Sequence, residues 1–253
     1  MNGLPAALTA EAVKSVAARV VRAASLFIVV GISVLATTLT WAANRGNEQV
    51  LAQLGPAADL AGWDRLLGVA AQVTAAGALL GFGVVLSWAI GREFADGTIA
   101  GLYGLPVSRA SIALAKLVVH LCWTVLVGVL LTAALLLVGL LLGLGPLDSA
   151  AASGLARQFV LTVLSGGLAL PAAWAATLGR GLLAGVAATI AIIVVAQVAV
   201  VAGSGAWLPL AAPALWAIRP DSVSGAQVAL ALTVPALFTL ATVRAWRRLE
   251  LDR

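Results

Sequence analysis

Six stretches of this 253-residue chain run for more than twenty residues without an Asp, Glu, Lys or Arg: 23–44, 66–91, 117–147, 158–179, 181–218 and 222–243. These gaps constrain the fold more than any motif does. A helix needs about 20 apolar residues to cross a bilayer core, and backbone in lipid must satisfy its own hydrogen bonds. The chain therefore reads as an all-α polytopic membrane protein, with six transmembrane helices at about 23–43, 66–90, 112–143, 158–178, 183–203 and 223–244. A single transmembrane domain is expected to take in 1–253.

Composition agrees with that reading. Hydrophobic residues make up 62% and charged residues 10%, against about half and about a quarter in soluble domains. The formal charge of +5 is not read as nucleic-acid binding, because in a membrane protein the sidedness of charge matters more than its sum. With the N-terminus inside, eleven basic residues fall on the inner side: Lys14, Arg19, Arg22, Arg92, Arg109, Lys116, Arg180, Arg244, Arg247, Arg248 and Arg253. Four (Arg45, Arg65, Arg157 and Arg219) fall outside. The positive-inside rule places both termini in the cytoplasm, and the protein is expected in the cell's inner, plasma membrane. Cys122 is the only cysteine, which leaves no intrachain disulfide or cysteine metal site to argue from. The first long apolar run begins after Arg22, so it reads as a retained span and not a cleaved signal peptide.

Ahead of that run, residues 8–22 suit a helix with Ala12, Val16 and Val20 on one face and Glu11, Lys14, Arg19 and Arg22 largely elsewhere. Such a segment is either a helix lying on the membrane surface or a plain cytoplasmic leader. The stretch 204–221 carries Pro209, Pro213 and Pro220 around apolar pieces too short to span. It suggests a re-entrant or surface-lying hairpin before the last span. Pro171 and Pro235 should kink the fourth and sixth spans.

The densest polar island lies between the second and third spans, from Gly91 to Lys116. Asp96 is a candidate N-cap, with Gly97 and Thr98 opening a short helix whose Ile99, Leu102 and Tyr103 share one face. Pro106 stops that helix, and Ser108 caps the next. On a cytoplasmic loop, that apolar stripe invites a partner protein.

The order Glu93, Gly97-Thr98, Leu102, Pro106-Val107-Ser108-Arg109 and Lys116 resembles the signature between the second and third spans of ATP-binding-cassette type-2 exporter permeases. The small bacitracin-resistance and lantibiotic-immunity permeases are similar members. The close match covers about a tenth of the chain, and the six-span layout extends it. The resemblance implies that the loop helix docks on a separate cytoplasmic ATPase, which carries ATP and Mg, while this chain binds no cofactor. It also implies a second permease copy or homologue, favours the surface helix at 8–22, and gives the loop a coupling role: Arg92, Glu93, Asp96, Gly97, Thr98, Ile99, Leu102, Tyr103, Pro106 and Arg109. Arg92 and Glu93 at the inner end of the second span would either carry the docking helix's displacement or simply anchor a helix end.

Other sites are weighed by chemistry. Only Lys14 and Lys116 are lysines, and neither lies in a phosphate-binding loop, so ATP hydrolysis is expected elsewhere. His120, four residues after Lys116, reads as a neutral imidazole bonded to a neighbouring helix, since no carboxylate is spaced to join it in a proton relay. Gly77 and Gly81 form a small-residue pair expected to pack helices. Gln72 and Gln197 lie at similar depth in the outer leaflet; the family resemblance, in which the second and fifth spans line the subunit interface, implies that they face each other or cargo across it, unless they bond within one subunit. The function expected is export of a hydrophobic or amphipathic compound such as an antibiotic or antimicrobial peptide. Rival readings are an ATP-driven sodium or lipid exporter of the same architecture, and an ATP-independent channel or structural membrane protein.

Overall fold

The computed structural model describes residues 3–98, 101, 104 and 106–249, so the expected docking stripe of Ile99, Leu102 and Tyr103 lies outside the described residues. Every regular element among those described is helical. A short helix α1 (Leu4–Ala17) is followed by α2 (Arg19–Asn44), with an extended break at Ala18. Then come α3 (Glu48–Leu54), α4 (Gly62–Ala95), α5 (Arg109–Leu141), α6 (Ser149–Leu178), α7 (Leu182–Val201), α8 (Ala212–Ile218) and α9 (Gly225–Arg247). Six of them, α2, α4, α5, α6, α7 and α9, are long and apolar enough to cross a membrane.

The starts of these helices follow local chemistry. Asn47 caps α3, Ser108 caps α5 by accepting from the Ser111 N–H at 3.1 Å, and Asp148 caps α6 by accepting from Ala151 at 2.8 Å. Ser224 and Gln227 form a reciprocal capping box at the start of α9. Because Asp148 sets the start of α6, Arg157 sits inside that helix and reaches back to Ser153 Oγ at 3.1 Å. The two span prolines act as expected of residues that lack an N–H and crowd the preceding turn. α6 breaks at Ala169, two residues before Pro171, and α9 breaks at Ala231 and Leu232, just before Pro235. The two kinks meet: a Cβ on Gly167 would lie 3.5 Å from the Pro235 ring.

α4 is the hub, packing against α2, α5, α6, α7 and α8. Its seam with α7 is built from small residues. A Cβ on Gly83 would fall 2.2 Å from Thr189, one on Gly185 2.3 Å from Ser87, and one on Gly91 2.5 Å from the backbone of Leu182. Without a strong hydrophobic drive between helices in lipid, such close approach is what holds them together. The Gly77 and Gly81 pair behaves differently. Gly81 meets Ile28 of α2, where the helix widens into a π turn at Phe27–Gly31, whereas Gly77 meets only Val73 of its own helix. A second core joins Leu86, Ile90, Ile112, Leu117, Leu170, Ala173 and Ala176 around Trp246, whose indole N–H donates to Thr177 Oγ1 at 3.1 Å.

The segment before α9 places α8 against α4 and α6, with Ala211, Ala212 and Pro213 buried. On α1 the charged side faces the protein and the valine side faces outward. Glu11 is buried, while Val13 and Val16 are 65% and 77% exposed. Its polar side turns to the protein because partners wait there.

Candidate coupling site

Four charged side chains converge where α1, the end of α4 and the start of α5 meet. Lys116 Nζ donates to Glu93 Oε1 at 2.7 Å, to Glu11 Oε2 at 2.9 Å and to the Ala89 carbonyl at 3.2 Å, which uses all three of its protons. Lys14 closes the group, 2.9 Å from Glu11 Oε1 and 3.5 Å from Glu93 Oε1. Two carboxylates and two ammoniums balance, and Glu11, Glu93 and Lys116 are buried. A buried charge is tolerable only when paired and hydrogen-bonded in this way. Burial works against the Lys14 ammonium, but the hydrogen bond and charge of Glu11, with Glu93 behind it, outweigh that and hold its pKa above the ordinary lysine value.

Glu93 also reaches the loop. Its Oε2 accepts from Thr98 Oγ1 at 2.7 Å, so one carboxylate touches the loop start, α5 and, through Lys14, α1. Between Glu93 and Thr98 the chain leaves α4 at Asp96, which stands as its C-cap with an N–H 2.8 Å from the Arg92 carbonyl. Gly97, at φ 65°, supplies the left-handed step that ends the helix. Asp96 and Gly97 thus close α4, a role the sequence reading had not given them. Arg92 stacks over Trp88, 4.4 Å from the ring centroid. Pro106 is exposed just ahead of the Ser108 cap, and the Arg109 guanidinium donates to the Leu249 carbonyl.

The expected coupling residues therefore divide. Glu93 and Thr98 are joined directly, Asp96 and Gly97 shape the turn between them, and Arg92 and Arg109 make separate contacts. Sequence reasoning missed Glu11, Lys14 and Lys116 as members of the cluster. A signal was present: of 15 basic residues only two are lysines, and both are here. A lysine carries three donors on a flexible stem, and Lys116 directs them to three separate acceptors.

Elsewhere, His120 is buried and its Nε2–H donates to the Gly166 carbonyl of α6 at 3.1 Å, a bond to a neighbouring helix. Gln72 donates to the Leu54 carbonyl at the end of α3 at 3.1 Å, Gln197 is exposed on α7, and no hydrogen bond joins the two among the described residues. A third glutamine, Gln158, is 1% exposed and donates to Thr74 Oγ1 at 2.7 Å. As the first residue of the expected fourth span, next to Arg157, it is given no role by the sequence reading. Among the described residues no group of three His, Cys, Asp or Glu side chains is arranged to hold a metal ion.

Six apolar helices with a buried ion cluster at one end define a multi-pass membrane protein. A family model described as ABC-2 family transporter protein matches residues 8–197, about three quarters of the chain, and the chain belongs to that family as the membrane permease component of an ABC transporter. No match is found among curated proteins.

Proposed function

We propose that this chain is the permease subunit of an ATP-driven exporter of a hydrophobic or amphipathic compound, such as an antibiotic or antimicrobial peptide. ATP and Mg are bound and used by a separate cytoplasmic ATPase. Two permease copies, or this chain and a homologue, complete the pathway in the inner membrane with both termini cytoplasmic. In this reading α1 lies on the membrane surface with Val13 and Val16 toward lipid, and the segment around α8 forms a re-entrant hairpin. The loop carrying Ile99, Leu102 and Tyr103 docks on the ATPase.

The observation that carries the proposal is the cluster of Glu93 with Thr98, Lys116, Glu11 and Lys14. A push on the loop reaches Thr98, passes to Glu93, and from there moves α4, α5 and α1 as one unit. Charges buried on each other in this way suit transmission because they resist separation.

The test is co-purification with an ATPase bearing a phosphate-binding loop, followed by ATP-driven transport in vesicles with paired variants. Glu93→Met alone leaves Lys116 underpaired and should cost about 3–5 kcal/mol of stability. E93M/K116M removes both partners and should recover folding and ATPase binding but not transport. Full transport by a folded double variant would overturn the coupling role, and failure to co-purify with any ATPase would overturn the exporter reading.

A further inference from the structure

Along α9, Leu237, Leu240, Arg244 and then Arg247 and Arg248 recur at helical spacings of three or four residues, so they fall on one stripe. The whole stripe is exposed. Leu237 and Leu240 are 63% and 69% accessible, and the three arginines are exposed below them. None of the three guanidinium groups has a hydrogen-bond or ion-pair partner among the described residues. A fourth guanidinium is held beside them, because Arg109 at the start of α5 donates to the carbonyl of Leu249, the residue after Arg248. α9 itself contains no carboxylate; Glu250 and Asp252 follow in the sequence, outside the described residues.

We propose that this stripe is a binding site for an anionic phospholipid. Its acyl chain runs along Leu237 and Leu240, and its phosphate sits among Arg244, Arg247 and Arg248. Guanidinium groups pair with phosphate oxygens in forked, charge-assisted hydrogen bonds. The apolar half of the stripe selects a lipid over a soluble acidic partner. Leu237 and Leu240 lie within a helix of membrane-crossing length, where an acyl chain can cover them and a water-soluble loop cannot. Arg45 offers a contrast at the other end of the molecule: it folds back onto Trp41, 4.0 Å from the ring centroid, and so has a partner within the chain. The inference rests on the proposed orientation only for the leaflet that supplies the lipid, here the cytoplasmic one.

The experiment is native mass spectrometry of the purified full-length protein, delipidated and re-exposed to equal amounts of phosphatidylglycerol and phosphatidylcholine. The wild type should retain phosphatidylglycerol about tenfold in preference, as expected of clustered basic residues at a membrane surface. R244Q/R247Q/R248Q should lose that preference, R244K/R247K/R248K should keep most of it, and millimolar inorganic phosphate should not displace the lipid. Equal retention of the two lipids by the wild type overturns the site even where the glutamine variant is not recovered folded. Preference surviving in the folded glutamine variant, or displacement by free phosphate, overturns it as well. Because retention needs neither ATP nor a partner subunit, a negative result here leaves the exporter reading untouched, and failure of that reading leaves this one standing.

Discussion

α6 and α9 are close in hydropathy and both are broken near a proline, yet 67% of the most apolar window of α6 is buried inside the chain against 11% for α9. Oiliness alone does not tell a helix that faces protein from one that faces lipid. What separates them is the small and hydroxylated residues. α6 buries Gly154, Gln158, Thr162, Ser165, Gly166, Gly167 and Thr177. Thr162, Ser165 and Thr177 each return their hydroxyl to the carbonyl four residues earlier at 2.8 Å, which hides the polarity and leaves a slim surface for neighbours. α9 presents Leu237 and Leu240 outward and buries few side chains, chiefly Val234, Thr242 and Trp246. In lipid, bulk marks the outside and smallness the inside.

The strongest way to sharpen this contrast is to cut the one large anchor of α9. Trp246 is 2% exposed, fills the second core and bonds Thr177 of α6. Trp246→Ala should cost about 3–5 kcal/mol through the cavity left and the lost bond, and should free the end of α9. Thermal unfolding of the purified protein, with protease cutting near Arg244 as a local reporter, checks it; an unchanged midpoint would mean that α9 is held by something other than this contact. Next in size is an assault on the slim face of α6. A Cβ on Gly166 would lie 2.2 Å from Thr124 and 2.9 Å from its Oγ1, so Gly166→Leu should cost about 3 kcal/mol from overpacking. It should also displace the carbonyl that accepts from His120. The yield of monodisperse protein at equal expression measures the outcome.

Much of this is legible in the sequence. Charge-free length fixes where helices can cross, and Ser108 as a cap and His120 bonding a neighbouring helix follow from local chemistry. What was not legible follows from the solvent. The spacing of α1 separates an apolar side from a charged one, but it does not say that the charged side turns to the protein, where it finds partners, while Val16 stays outward. That partner set, Glu93 and Lys116, is 82 and 105 residues away from Glu11 in sequence, and no local pattern announces it. Arg157 reads as an edge because arginine avoids hydrocarbon, but a long side chain can sit in the first turns of a helix and direct its charge back outward. Gln158, at the start of that span, supplies a middle-sized test. It gives one hydrogen bond to Thr74 while its own Oε1 finds no partner among the described residues. Gln158→Leu should therefore cost only about 1 kcal/mol or less, the usual worth of an interhelical side-chain bond in a membrane. A loss of several kcal/mol in denaturant or thermal unfolding would show that buried polarity, not small size, holds α6 in place.

The smallest effect is expected on the lipid side and is the most direct test of the comparison. Leu240 is 69% exposed on α9, so its side chain makes few contacts within the chain. In water such a leucine would be an aggregation risk and its removal a gain. In a bilayer the side chain exchanges one apolar neighbour for another, and truncation leaves no cavity because lipid closes over it. Leu240→Ala should thus change the stability of the protein in lipid nanodiscs by less than about 0.5 kcal/mol, within the range of ordinary surface substitutions. Ala is also the better helix former, by a few tenths of a kcal/mol at most. If Leu240→Ala instead lowered the unfolding midpoint as much as Gly166→Leu, the exposed face of α9 would have to be covered by protein. In that case a second copy or a partner subunit, rather than lipid, would occupy it, and the same measurement repeated across protein concentrations would reveal the association.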